Sequence, residues 1–465
     1  MNTKSKRVIN VFSLAMINFA AIANVRNLPT VAPYGFSMLF FYLMAAVLFL
    51  IPTALVSAEL ASTFTEDGGI YSWVSHAIGD KMGFLAILLQ NIGNFVCFPM
   101  ALSFVASTIA YGIFPSLVEN RLFIISTILL MIWVGTLITL RGMQITGIIS
   151  TIGSILGTFL PALIIVGFGM YWLFSGRESQ IVVSTKTFLP DISGPNSLAL
   201  ILGLLLSFSG FEMSANHVRD VENPRKNYPR AILLATIMIL FISIFGSLAI
   251  AIVIPKDKLA IHAGTIQALS QFFAEFHIEW LTPVIAIFMT CGSIAWFCAW
   301  VSGPPRALYT TTTHGYLPKI FHKLNKHGMP VNIMLFQALV STALAFLFVF
   351  AESIGTAFVV LTNLASQFAL LMYILMFTSA IVLKFKYPNS NSSAYHVPGG
   401  KIGMIILSGI GLLTSAISYL IGFFPPNDIG IRNPMIYTII IIVGNLLIIM
   451  ASVRLSKRHF HRANA

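Results

Sequence analysis

The feature that most constrains this chain is a succession of apolar blocks, each about as long as the roughly 20 helical residues that cross a bilayer's hydrocarbon core. They fall near 8–33, 36–58, 82–113, 122–140, 145–174, 196–218, 231–254, 280–310, 333–351, 354–383, 403–424 and 435–453. Twelve such blocks predict an all-α membrane protein of twelve transmembrane helices. Of the 465 residues 57% are hydrophobic and only 9% charged, against about 25% charged in ordinary soluble domains. The connections near 59–81, 175–195, 219–230, 255–279, 311–332 and 384–402 are too short for a soluble domain, so function must sit among the helices.

The net charge of +12 is an orientation code. With an even number of spans both termini share one side, and placing them in the cytoplasm puts 20 of the 27 Lys and Arg residues inside and six outside. That asymmetry fits the positive-inside rule and leaves anionic lipid headgroups as a secondary partner. Nucleic acid is excluded as a partner, because no basic surface is clustered for it. A basic start followed by Ala21-Ile22-Ala23 also resembles a cleavable signal peptide. Cleavage would leave eleven spans and spoil the agreement of the termini, so the first block is read as a retained helix. Cys97, Cys291 and Cys298 all lie inside apolar blocks and read as buried hydrophobes, with neither metal nor disulfide spacing.

Two spans break the rule that polar groups are costly at mid-depth. The first carries Asn18, Asn24, Arg26, Asn27 and Pro29; the sixth runs Ser207-Phe208-Ser209-Gly210-Phe211-Glu212 on to Asn216 and His217. They lie five spans apart, so the second enters the membrane inverted relative to the first. Paired broken helices of opposite orientation point to an inverted-repeat transporter with its site at the bilayer midplane. Unwound backbone and half-helix ends supply partial charges of both signs, which is what a zwitterion needs.

Four stretches now resemble the amino acid–polyamine–organocation permeases, and most closely the bacterial glutamate/γ-aminobutyrate antiporter branch. They are Ile51-Pro52 through Glu59 and Glu66-Asp67-Gly68-Gly69-Ile70-Tyr71 to Val74; Phe208–Glu212 with Asn223-Pro224-Arg225-Lys226-Asn227-Tyr228-Pro229; Gly303-Pro304-Pro305-Arg306 with Gly315–Pro318 and Asn325–Pro330; and Val397-Pro398-Gly399-Gly400-Lys401. The resemblance implies a five-plus-five inverted repeat of the LeuT type, with helices 1 and 6 broken: 8–174 as the first repeat, 196–383 as the second and 403–453 as two additional helices. It further implies a bacterial inner-membrane location, a small amino acid or derived amine as partner, no cofactor and no catalytic or metal residues. Phe208, Ser209, Gly210 and Glu212 are implied to line or adjoin the substrate path, with Glu212 at the proton-coupling position and Trp300 and Tyr373 as aromatics near it.

The departures are informative. Where many family members bind the substrate carboxylate through a Gly-Ser-Gly break, this chain has Ile22-Ala23-Asn24, so Ala23 and Asn24 stand at an altered grip. Leu206 occupies the position of a gating Trp in arginine/agmatine exchangers, which argues against that pair. The sequence ends at Ala465 without the branch's C-terminal plug, so gating by that lid is not expected.

Apart from Arg306 near the inner end of its block, Arg26 and Glu212 are the only charges inside the apolar blocks. Three roles are open to Arg26: a fork onto a substrate carboxylate, a partner for Glu212, or a side chain snorkelling to the outer mouth. Glu212 reads as a proton carrier or as a neutral structural acid. Trp296 and Trp300 share a helical face that suits packing and ligand lining equally. His314, His322 and His327 belong to a solvated basic loop, and Glu66, Asp67, Arg225 and Lys226 are expected to contact one another at the cytoplasmic face. The resulting expectation is a secondary amino-acid antiporter, with proton-coupled amino-acid or polyamine symport as the alternative. An intramembrane enzyme lacks an acid–base or metal cluster, a channel lacks a filter, and no phosphate-binding loop exists to power a pump.

Overall fold

Backbone that crosses hydrocarbon must satisfy its own hydrogen bonds, and this chain does so with helices. The structure, a computed structural model, describes residues 10–64, 68–118, 120–190, 201–213, 221–312, 314–387, 395–425 and 434–463. Among these residues the only β pairing is an isolated bridge between Leu324 and Pro330. Among the described residues nine helices are long and apolar enough to cross a membrane: α2 (Ala32–Thr63), α4 (Asp80–Ile113), α5 (Arg121–Thr139), α6 (Ile145–Phe174), α8 (Pro224–Val253), α10 (Leu281–Thr310), α11 (Val331–Phe350), α12 (Ile354–Lys386) and α13 (Gly400–Ile421). Three more apolar helices are shorter: α1 (Val11–Ile22), α7 (Ile201–Ser207) and α14 (Pro434–Ala463), whose apolar part is Pro434–Ile448. The chain is a multi-pass helical membrane protein. Its outward faces agree: Leu130, Leu137, Ile148, Leu413 and Ile417 are all exposed, a surface suited to lipid rather than water.

Two stretches read as polar connections fold as short helices, α3 (Ile70–Ile78) and α9 (Gly264–Glu275). Both are too short to span, and both bury an apolar face, Ile70, Tyr71, Trp73 and Val74 in one and Ile266, Leu269, Phe272 and Phe273 in the other.

Local chemistry shapes the long helices. Proline lacks an N–H and its ring crowds the carbonyl four residues back. Immediately ahead of Pro52 and Pro161 the helices accordingly widen into π-helical turns, at Ala46–Leu50 and Ile155–Phe159. Gly157 and Gly292 face each other so closely that a Cβ on Gly157 would lie 2.2 Å from the Gly292 nitrogen; two bare backbones let α6 and α10 touch. Helix α4 lies at the centre, packed on α3, α5, α10 and α12, while α1 packs on α8 and α7 on α12. The ends of α1 and α7 therefore meet beside the middle of α4.

Candidate functional site

The break in the first helix follows from its residues. Helix α1 stops at Ile22; Ala23 and Asn24 are extended, and a 3-10 turn runs from Val25 to Thr30 around Pro29. Asn24 starts that turn, its side-chain oxygen accepting from the Arg26 N–H at 3.0 Å. Carbonyls freed by the irregular backbone are met from outside: Thr265 donates to the Val25 oxygen at 2.6 Å and Ser247 to the Leu28 oxygen at 2.7 Å. At the end of α1 the Ala21 oxygen accepts from the indole N–H groups of both Trp296 and Trp300, each at 3.3 Å.

The second break turns on Gly210, whose φ of 131° favours glycine. Its N–H donates to the Tyr373 hydroxyl at 2.9 Å, and that hydroxyl donates to Glu212 Oε2 at 2.6 Å. Gln90 of α4 donates to the other carboxylate oxygen at 3.3 Å. Residues beyond Met213 in this break, Asn216 and His217 included, lie outside the described residues.

A cavity opens between the two breaks. Its wall includes Arg26, Gln90, Asn94, Ser209, Glu212 and Trp296. Trp300, Tyr373, Cys97 and Leu206 complete much of the rest. Arg26 is 4% exposed, its guanidinium carbon sits 3.8 Å from the centroid of the Trp296 ring, and its Nε and Nη1 have no hydrogen-bond partner among the described residues. Arg26 neither pairs with Glu212 within 4.0 Å, among the described residues, nor reaches solvent. A second, smaller cavity lies on the far side of Arg26, Asn27 and Leu206, towards Thr30, Met100 and Phe358.

The nine residues singled out from sequence separate into two groups. Arg26, Ser209, Glu212, Trp300 and Tyr373 line the cavity. Ala23, Asn24, Phe208 and Gly210 stand behind it: Ala23 and Asn24 form the bend, Phe208 is fully buried against the Tyr42 ring, and Gly210 braces Tyr373. Ser209 also donates to the Leu206 oxygen of its own helix at 2.6 Å. Gln90 and Asn94 were missed. Their signal was present as Gln90-Asn91-Ile92-Gly93-Asn94, three amides in an otherwise apolar block, but that block carries no Asp, Glu, Lys or Arg. Cys97 lines the cavity and Cys298 is buried as expected, whereas Cys291 is exposed on the outside of α10.

Away from the cavity, Glu66 and Asp67 and the side chain of Arg225 lie outside the described residues. Glu59, assigned from sequence to a polar connection, is buried within α2, where it pairs with Lys384 and accepts from the Val397 N–H at 2.7 Å.

Comparison with known proteins decides the family. A sequence profile described as amino acid permease matches residues 9–445. The chain belongs to the amino acid permease family. Within the wider superfamily, this permease is 40% identical over 455 residues to an uncharacterized transporter of Legionella pneumophila, covering 98% of each chain. It is 30% identical to a glutamate/gamma-aminobutyrate antiporter of Lactococcus lactis over 95% of its own length and 88% of the relative's. Its similarity to the putrescine transporter of Escherichia coli is 26% over 383 residues, 81% of this chain and 83% of that one. The relatives that resemble this permease are thus transporters rather than enzymes.

Proposed function

We propose that this permease is a secondary amino-acid antiporter of the glutamate/γ-aminobutyrate type, working by alternating access with the cavity between α1 and α7 as its substrate site. In this reading the chain crosses the inner membrane twelve times with both termini cytoplasmic. Residues 8–174 and 196–383 form two inverted five-helix repeats, and 403–453 adds two helices. The observation that carries it is the meeting of two broken helices at one cavity, with a guanidinium from one break and a carboxylate from the other in its wall. A mobile amino acid also needs groups of both signs that are not already neutralising each other, and Arg26 and Glu212 are not paired. Trp300, Tyr373 and Ser209 then shape the site, with Ala23, Asn24, Phe208 and Gly210 setting the two bends. Glu212, buried and held by Tyr373 and Gln90, is the proton-coupling group of this scheme.

Counterflow tests the reading. Proteoliposomes preloaded with unlabelled amino acid should take up labelled amino acid, and empty ones should not. Uptake into empty vesicles driven by an inward proton gradient would replace exchange with symport; uptake that needs neither preload nor gradient would indicate a channel. Glu212→Gln should flatten the pH dependence of transport, and an unchanged profile would remove Glu212 from proton coupling.

A further inference from the structure

This inference rests on the cavity being the substrate site and names what the site selects. We propose that Arg26 and Asn94 form a carboxylate-binding subsite at the end of the cavity away from Glu212. The preferred ligands then carry a carboxylate several atoms distant from their ammonium group, and simple diamines are rejected.

Three donor atoms carry the argument. Arg26 Nε, Arg26 Nη1 and Asn94 Nδ2 are all buried in the wall of one cavity, and none has a hydrogen-bond partner among the described residues. Water could take up the hydrogen bonds, but it brings no countercharge, and a guanidinium cannot shed its proton. Trp296 stacks on the cation and fixes its plane without occupying those two nitrogens. The other charged residue of the cavity wall, Glu212, already accepts from Tyr373 and Gln90. The missing partner is therefore an anion that arrives from outside. A planar carboxylate matches the guanidinium fork.

Helix α4 supplies a ruler. Gln90, Asn94 and Cys97 are spaced four and then three residues apart, line the same cavity and so share a face of the helix. Gln90 holds Glu212. Arg26 lies at the other level, sharing this cavity with Cys97 and the next with Met100. Seven residues of helix rise correspond to about 10 Å between the two levels. An ammonium and a carboxylate on the same carbon are too close to address both; a chain of three or four carbons between them is not. The same subsite answers the departure at Ile22-Ala23-Asn24, where the backbone carboxylate grip of the resembled family is altered: a side-chain cation one turn further on takes that role.

The test uses the full-length protein and four probes: glutamate, glutamine, γ-aminobutyrate and 1,4-diaminobutane. The last two differ chiefly in a carboxylate against an amine. Thermal stabilisation is read in detergent and counterflow in proteoliposomes. The parent should be stabilised by glutamate and γ-aminobutyrate at concentrations at least tenfold below those needed for glutamine or the diamine. Arg26→Gln should bring the glutamate and glutamine midpoints within about twofold of each other; Arg26→Lys, which keeps charge but loses the fork, should fall between. Asn94→Leu should weaken glutamate and γ-aminobutyrate several-fold, and it keeps the subsite testable if Arg26→Gln does not fold. An unchanged glutamate-to-glutamine ratio in Arg26→Gln overturns the subsite, as does stabilisation by chloride alone that glutamate cannot increase. Failure of all counterflow with the binding pattern intact overturns the exchange reading and leaves the subsite standing.

Discussion

Two regions of this permease bury a charged side chain, and they handle it in opposite ways. At one end of the molecule Glu59, 4% exposed, is saturated: Lys384 pairs with it, the Val397 N–H donates to it, and His396 approaches at 3.5 Å. In the cavity Arg26 is equally buried, yet two of its nitrogens have no partner among the described residues. A buried donor or acceptor left unmade costs about 1–3 kcal/mol, and more when charged, so a fold retains such a group only where something repays it. The contrast teaches that burial alone does not mark a site. Glu59 ties α2, α12 and the segment before α13 together; Arg26 keeps two donors unmet among the described residues, and these are the donors the proposed subsite uses.

The largest effect expected from this contrast is on stability. Glu59→Ala leaves Lys384 and the Val397 amide without their acceptor, and removing one partner of a buried pair costs about 3 kcal/mol or more. Its melting temperature in detergent should drop well below the parent's; a drop of a degree or less would mean the cluster is solvated.

A third buried ionisable group sharpens the comparison by a different solution. His262, in the connection before α9, is buried with both ring nitrogens unpartnered among the described residues, and desolvation lowers its pKa to about 4. It stays neutral where Arg26 cannot. Because the folded state resists protonation, stability is full above the unfolded pKa of about 6.5 and declines as pH falls from there towards 4, by about 3 kcal/mol in all. His262→Phe should flatten that acid-side decline in melting temperature, and an equal decline in the variant would assign it to other groups.

A smaller loss is expected at Tyr373, which ties Gly210 to Glu212 within the second break. Tyr373→Phe removes the hydrogen bond to Glu212 and the acceptor of the Gly210 N–H, which should cost about 1–3 kcal/mol and shift the pH profile of transport; full stability with an unaltered profile would make the link dispensable. Smallest of all should be the loss in Arg26→Met without ligand: the variant should melt no lower than the parent, since it removes a buried charge whose donors have no partner among the described residues. If it melted as low as Glu59→Ala, Arg26 would be a structural charge and the contrast would collapse.

Much of this was legible in the amino-acid order, because the membrane makes the local rules strict. A span must be apolar and about 20 residues long, so Arg26 and Glu212 stand out against their blocks without any knowledge of neighbours. Pro29 and Gly210 mark the breaks for equally local reasons. Other features left fainter traces. Gln90 and Asn94 are uncharged and tolerable inside a helix bundle, so their amides gain meaning only from the position of α4 beside the cavity. Glu59 looked like part of a polar connection because its block ends one residue earlier, whereas α2 continues to Thr63. Short helices α3 and α9 fall below spanning length, so a search tuned to spans passes over them.

What the sequence by itself determined was the solvent of this protein, its helical character and the two helices that break. Only the tertiary structure decided which polar groups are answered and which are not. Whether a donor is satisfied depends on residues hundreds of positions away, such as Lys384 for Glu59 or Trp296 beneath Arg26. Satisfaction is a property of three-dimensional contact, and no local pattern along the chain encodes it.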